Sequence, residues 1–205
     1  MGFYDDKILP RILNTMMGMP YMAAERKKTL AGVTGAVLEV GFGSGHNLPC
    51  YPPAVQRLVA VDPSIESAKL ARKRIAAASF PVEYVALEGE KIEAPDASFD
   101  SVVSTFTLCT IPDPAAALSQ LRRVLKPGGR FFFVEHGRSP ELGVQRWQDR
   151  LNGIQRFAFG GCNMNRDIER LVRDAGFDFD EIEKYYLEGQ PKLFTFLTRA
   201  VARAV

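Results

Sequence analysis

The chain has 205 residues, 46% of them hydrophobic and 24% charged, with 26 basic against 24 acidic side chains. That length suits one domain with a sizeable core, read as a single unit over 1–205 with a helical preface or lid over 1–34 and a core over 35–205. The near balance of charge leaves no electrostatic footprint for a nucleic acid.

In the preface, Ile8, Leu9, Ile12, Leu13, Met16 and Met17 recur at helical spacing around Pro10. This stripe reads as core or lid packing, with peripheral contact to a membrane or lipid as the alternative. Strand and helix signals alternate from residue 36. Ala36–Val40 and Leu58–Asp62 are short apolar runs. Ser64 then caps a helix with Ile65, Ala68, Ala71 and Ile75 inward. Val82–Leu87 and Asp100–Ser104 read as the third and fourth strands. Asp113-Pro114 opens a helix with Leu118, Leu121, Val124 and Leu125 inward, which stops at Pro127-Gly128-Gly129. Arg130–Glu135 is a fifth strand. The stretch from about 152 to 165 reads as an insertion or lid. A helix with Ile168, Leu171, Val172 and Ala175 inward ends at Gly176. Strands near 177–184 and 192–198 have no room for a helix between them, so they should pair antiparallel. The apolar runs are continuous, which suits strands buried on both faces of a largely parallel sheet.

Short basic clusters, Arg26-Lys27-Lys28 and Arg72-Lys73-Arg74, read as solvated helix faces. Cys50, Cys109 and Cys162 lie far apart. They make neither a disulfide framework nor a zinc-ligand spacing, so no metal is expected. The first residues carry Asp5 and Asp6 and no long apolar run. They read as neither a secretory signal nor a spanning helix, which makes a reducing cytoplasm the expected location.

Gly41-Phe42-Gly43-Ser44-Gly45 follows the first strand. Glycines there permit positive φ and close approach of a ligand to the backbone. The dinucleotide fingerprint wants a third glycine where this chain has His46, which disfavours an NAD-dependent oxidoreductase. Asp62 closes the second strand, where a carboxylate accepts hydrogen bonds from a ribose diol. Glu39 precedes the turn, and Glu88-Gly89-Glu90 follows the third strand.

Taken together, AVLEVGFGSG, LVAVDPS, EGEKIEAPDASFDSVVSTFTLCTI and LRRVLKPGGRFFFVEHG resemble the class I S-adenosylmethionine-dependent methyltransferases. MAAERKK, N-x-x-x-Y-P after the glycine turn, EH after the fifth strand and G-C-N-x-N-R-x-I near residue 161 add likeness to bacterial phospholipid-type and animal alkyl thiol methyltransferases. The resemblance implies a Rossmann-like, doubly wound α/β fold with a seven-stranded, mostly parallel sheet ending in an antiparallel hairpin. It implies that Gly41, Gly43 and Gly45 approach the amino-acid part of S-adenosylmethionine, with Glu39 near its ammonium. It places Asp62 on the ribose, Pro63 or Ser64 beside the adenine, Glu88 and Gly89 on the adenine edge, and Thr105 and Phe106 beside the methionine part.

For the acceptor, His136 lies just past strand five and is the expected base or substrate contact. His46 is expected to shape the cofactor pocket, and Cys109 to be a small buried residue beside the site. Cys162, Asn163 and Asn165 would line the substrate side of a lid, and Phe157 and Phe159 a greasy pocket. The expected acceptor is a small, fairly apolar molecule, with a thiol favoured over a phospholipid amine or a quinone-type carbon. A cofactor-binding module without catalysis is the remaining alternative.

Overall fold

The structure, a computed structural model, describes residues 4–86 and 92–205. A π-type turn, Tyr4–Ile8, leads into α1 (Leu9–Met17) and α2 (Pro20–Leu30). The core runs β1 (Gly35–Val40), β2 (Val55–Asp62), α3 (Ile65–Ala76), β3 (Val82–Ala86), β4 (Phe99–Thr105), α4 (Pro114–Val124), β5 (Leu125–His136), α5 (Leu142–Ala158), α6 (Ile168–Asp174), β6 (Phe177–Tyr186) and β7 (Phe196–Ala204). The seven strands form one sheet in the order β3-β2-β1-β4-β5-β7-β6. The pairs among β1 to β5 are parallel, while β7 runs antiparallel to both β5 and β6. The Rossmann-like reading therefore holds, including the antiparallel pairing of the two C-terminal strands.

Adjacent side chains in a strand point to opposite faces. Leu38, Val102, Phe131 and Phe133 pack on one face with Leu118 and Leu121 of α4 and Val172 of α6. Their neighbours Val37, Val103 and Phe132 pack on the other with Leu30 of α2, Val33 and Ala71 of α3. Burial on both faces is why these runs are continuously apolar. The strand order reverses between β1 and β4, so the carboxyl ends of these strands open the crevice where such sheets bind ligands.

The expected caps are present. Ser64 Oγ accepts from Ser67 N at 3.1 Å and Asp113 Oδ1 from Ala116 N at 3.0 Å. Three boundaries and one facing differ from expectation. Ile65 does not face inward but is 74% exposed. Much of 152–165 is helical, belonging to α5. The last strand begins at Phe196 rather than near 192. Leu125 starts β5 instead of ending α4. The preface stripe is split as well: Leu9 is buried, whereas Ile8, Ile12 and Met16 are exposed.

Candidate cofactor and acceptor site

The glycine turn is built as its sequence requires. Gly41, Gly43 and Gly45 all have positive φ, at 71°, 55° and 79°. A Cβ on Gly41 would stand 2.0 Å from Thr107 Oγ1. At Gly43 the nearest atom to such a Cβ would be Gly41 O, 3.9 Å away, so the turn presents bare backbone to open space. Asp62 fixes the turn: its Oδ2 accepts from Gly43 N and its Oδ1 from Ser64 N, each at 2.8 Å. Burial raises the Asp62 pKa, and the two amide donors pull against that rise. Each carboxylate oxygen keeps a further lone pair for a diol. Pro63 beside it is exposed.

Glu39 is 1% exposed at the end of β1. Tyr51 Oη donates to its Oε2 at 2.6 Å and Asn47 Nδ2 to its Oε1 at 2.8 Å. Asn47 Nδ2 also reaches Thr105 Oγ1 at 3.0 Å. Burial nevertheless pushes the Glu39 carboxyl up to about 7, against Tyr51, Asn47 and the charge of Arg26. Asn47 and Tyr51 are thus the first and last residues of the N-x-x-x-Y motif, and their shared function is to hold Glu39. Arg26 is not the solvated residue expected: it is 4% exposed, donates to Met17 O at 2.7 Å and lies 5.4 Å from the Phe106 ring centre. A buried carboxylate needs donors and a nearby cation, which is the signal that picks out all three.

Phe106 follows β4 with φ of 56°, a strained backbone for a bulky residue. The strain is held by Glu135 on β5, which is fully buried. Its Oε1 accepts from Thr107 N (2.8 Å), Leu108 N (3.0 Å) and Ser104 Oγ (2.9 Å), and its Oε2 from Cys109 N at 3.4 Å. Glu135 is therefore a positioning residue for the loop after β4.

The preface closes over the turn. His46 Nε2 lies 2.9 Å from Asn14 O, and burial with the charge of Arg74 lowers the His46 pKa to about 4. The ring is neutral near pH 7 and donates to that carbonyl. Arg74, read from sequence as part of a solvated cluster, donates to Ser44 O at 2.9 Å and to Asn14 Oδ1 at 3.3 Å. Arg11 pairs with Glu66 at 3.0 Å.

On the other side of the crevice, His136 ends β5 with its Nε2 3.3 Å from Cys162 Sγ. Cys162 Sγ is 3.7 Å from Cys109 Sγ. Asn163 stitches the two loops, its backbone N and Nδ2 donating to Cys109 O at 2.8 and 3.1 Å. Arg166 donates to the carbonyls of Leu108 and Ile111. The G-C-N-x-N-R motif is thus a clasp on the loop after β4. Asn165 instead bonds Asp149 at 2.9 Å. Phe157 cannot line a pocket, being 85% exposed. Glu88, Gly89 and Glu90 lie outside the described residues.

A sheet with a switch-point crevice, a bare glycine turn and a carboxylate closing β2 has the layout of a nucleotide-cofactor enzyme of the Rossmann-like class. A family model described as a methyltransferase domain matches residues 38–133. The thiol S-methyltransferase TMT1B of Rattus norvegicus is 32% identical over 204 residues, covering 92% of this chain and 80% of that one. The thiol S-methyltransferase TMT1A of Homo sapiens is 35% identical over 155 residues, 72% of this chain and 62% of its own length. A phosphatidylethanolamine N-methyltransferase of Cereibacter sphaeroides is 31% identical, covering 84% of each chain. The crystal structure of the YcgJ protein of Bacillus subtilis superposes with a TM-score of 0.71 at 18% identity, over 90% of this chain and 97% of that one, which speaks for the fold. The chain belongs to the class I S-adenosylmethionine-dependent methyltransferases. S-adenosylmethionine is its methyl donor.

Proposed function

We propose that the protein methylates the sulfur of a small, fairly apolar thiol in a reducing, cytoplasmic setting. The observation that carries this reading is the make-up of the acceptor side. Its buried carboxylate, Glu135, is committed to backbone amides, and what remains is an imidazole and two thiols. Such a soft lining, with no uncommitted carboxylate, suits a sulfur nucleophile. A thiol with a pKa of about 8.5 needs only modest help to ionise, whereas a carbon acid needs a strong base. The 32–35% identity to two thiol S-methyltransferases supports the same acceptor.

The cofactor supplies a sulfonium methyl group, and the protein's part is positioning and exclusion of water. Asp62 takes the ribose diol, the glycine turn lets the methionine part lie against backbone, and Glu39 faces the ammonium. Transfer of labelled methyl to an alkyl thiol, phosphatidylethanolamine or a quinol tests the reading directly. Labelling of the lipid or quinol alone would overturn it. His136→Ala is expected to lower kcat on the thiol at least about tenfold with S-adenosylhomocysteine affinity unchanged; an unaltered kcat would remove His136 from the acceptor side.

Glu39 sets a pH dependence. Its carboxyl is raised to about 7 in the free protein, so it is largely protonated at pH 6. A ligand ammonium favours the anion, so binding expels a proton and tightens as pH rises. Affinity for S-adenosylhomocysteine should increase about tenfold from pH 6 to pH 8, and Glu39→Gln should flatten the profile. A flat profile in the unsubstituted chain would take Glu39 away from the ammonium. The same raised pKa stabilises the free fold below the unfolded value, and that contribution is lost as pH rises through 7.

One observation favours a second reading, methylation at a lipid surface. Ile8, Ile12 and Met16 expose an apolar stripe, and Trp147, Ile154 and Phe157 of α5 are exposed as well. Tyr4 Oη donates to Ala158 O at 2.8 Å, tying the two segments together. Sedimentation with anionic vesicles would separate a lipid-bound enzyme from a free one.

A further inference from the structure

Cys109, His136 and Cys162 come from three segments that are distant in sequence, after β4, at the end of β5 and after α5. Their Sγ, Nε2 and Sγ atoms all lie within 4.8 Å of one another. The separations are informative. Around a tetrahedral zinc ion with Zn–S of ~2.3 Å and Zn–N of ~2.0 Å, two sulfurs stand roughly 3.8 Å apart and a sulfur and a nitrogen roughly 3.5 Å apart. Here the two sulfurs are 3.7 Å apart and Cys162 Sγ is 3.3 Å from His136 Nε2. A disulfide would need about 2.05 Å. All three cysteines of the chain are free.

The surroundings are built to hold this geometry. Glu135 fixes the backbone N–H of Cys109, and Asn163 takes the Cys109 carbonyl with two donors. Arg166, anchored on the carbonyls of Leu108 and Ile111, brings a cation close to both sulfurs. Cys109 and Cys162 are 1% and 9% exposed and His136 is half-buried, so the cluster is largely enclosed by protein. The loop that carries Cys109 also touches the glycine turn, through Thr107 Oγ1 and Gly41 O at 3.4 Å.

We propose that Cys109, His136 and Cys162 are three protein ligands of a Zn²⁺ ion whose fourth position receives the acceptor thiol. Two thiolates and one imidazole are a donor set that zinc enzymes use when a coordination position is kept for substrate. Two thiolates neutralise the dication, and Arg166 offsets the charge of a third. The second half of the proposal rests on the thiol reading above. When the acceptor binds, its S–H proton leaves to solvent and its sulfur coordinates as a thiolate. One of its lone pairs then forms the new S–CH₃ bond, while the C–S bond of the sulfonium breaks and leaves its electron pair on the homocysteine sulfur. The thioether product is a poorer ligand than a thiolate, which favours release. Zinc changes no oxidation state, so no further reactant is needed.

The test begins with metal content. The full chain, expressed with zinc and purified without chelator, should carry about one zinc per chain by mass spectrometry. Cys109→Ser and Cys162→Ser should lose most of it while still binding S-adenosylhomocysteine, and Cys50→Ser should keep it. Should the serine variants not fold, Co²⁺ added to the metal-free native chain gives a second readout: a sulfur-to-cobalt charge-transfer band of tetrahedral type. An added alkyl thiol should shift that band. A native chain that binds S-adenosylhomocysteine yet takes up neither metal overturns the site, as does a Cys109–Cys162 disulfide in protein purified under reductant. A band indifferent to thiol overturns the fourth-position assignment. Thiol methylation at full rate by the zinc-free chain would overturn this inference and leave the proposed function standing. A zinc-bound chain that methylates only lipid or quinol would overturn the proposed function and the fourth-position assignment with it, and leave the three-ligand zinc site standing.

Discussion

Replacing Asp62 with alanine is expected to weaken S-adenosylhomocysteine binding by at least about 100-fold, or ~2.7 kcal/mol. Two losses combine. Gly43 N and Ser64 N each lose an acceptor at 2.8 Å in a site where the carboxylate is 8% exposed. An amide left unsatisfied in such a place costs about 1–3 kcal/mol, and the turn relaxes away from its ligand-ready shape to avoid that cost. On the proposed contact with Asp62, the ribose would also lose two charge-assisted hydrogen bonds, each worth about 1.5–3 kcal/mol. Asp62→Asn keeps a single carbonyl acceptor and should fall between the two. Calorimetry gives the answer, and an affinity within threefold of the parent for Asp62→Ala would contradict this account.

The largest effect on stability is expected from Glu135→Ala. Three backbone N–H groups and the Ser104 hydroxyl converge on its two oxygens. The alanine variant leaves them facing a dry void, with the strained Phe106 no longer held from below. A loss of about 4 kcal/mol follows, lowering Tm by about 8–16 °C for a chain of this size. Glu135→Gln retains one acceptor oxygen and should recover part of the loss. Chemical denaturation checks both variants. A destabilisation below about 1 kcal/mol for the alanine variant would mean that the loop finds other acceptors.

The fold was legible wherever burial follows period. The doubly buried strands from Ala36–Val40 to Arg130–Glu135 announce themselves as unbroken apolar runs, and the Ser64 and Asp113 caps mark where helices begin. Helix α5 was not legible, for a physical reason. Its one buried side chain is Gln148. The amide of Gln148 donates to Gly137 O at 3.1 Å and Leu193 O at 3.2 Å and accepts from Ser139 N at 3.0 Å. Trp147, Ile154 and Phe157 meanwhile face outward, and the inward face carries only the half-buried Val144, Leu151 and Ala158 around Gln148, so the stripe is weak and interrupted. A helix docked chiefly by hydrogen bonds leaves a faint hydrophobic period.

At the site, the glycine turn and Asp62 are local in sequence and visible there. Glu135 is not, because its partners lie on the loop after the neighbouring parallel strand. The Cys109–His136–Cys162 cluster is assembled wholly by topology: each member sits alone in its own segment, so no spacing rule could join them. Arg26 and Arg74 were hidden by their company, since basic neighbours on exposed helix faces masked the one member of each cluster that turns inward.

The strand order carries a consequence for synthesis. β7 leaves the ribosome after β6, yet it lies inside the sheet, between β5 and β6. Until residues 196–204 emerge, β6 has no strand to pair with, and the open edge of β5 with its run of three phenylalanines has no cover. A nascent chain therefore holds a nearly finished nucleotide-binding half beside a sticky, unzipped flank. Completing this sheet is an insertion rather than an addition at the rim, and a chain that lacked β7 would lose the pairing of β6 as well.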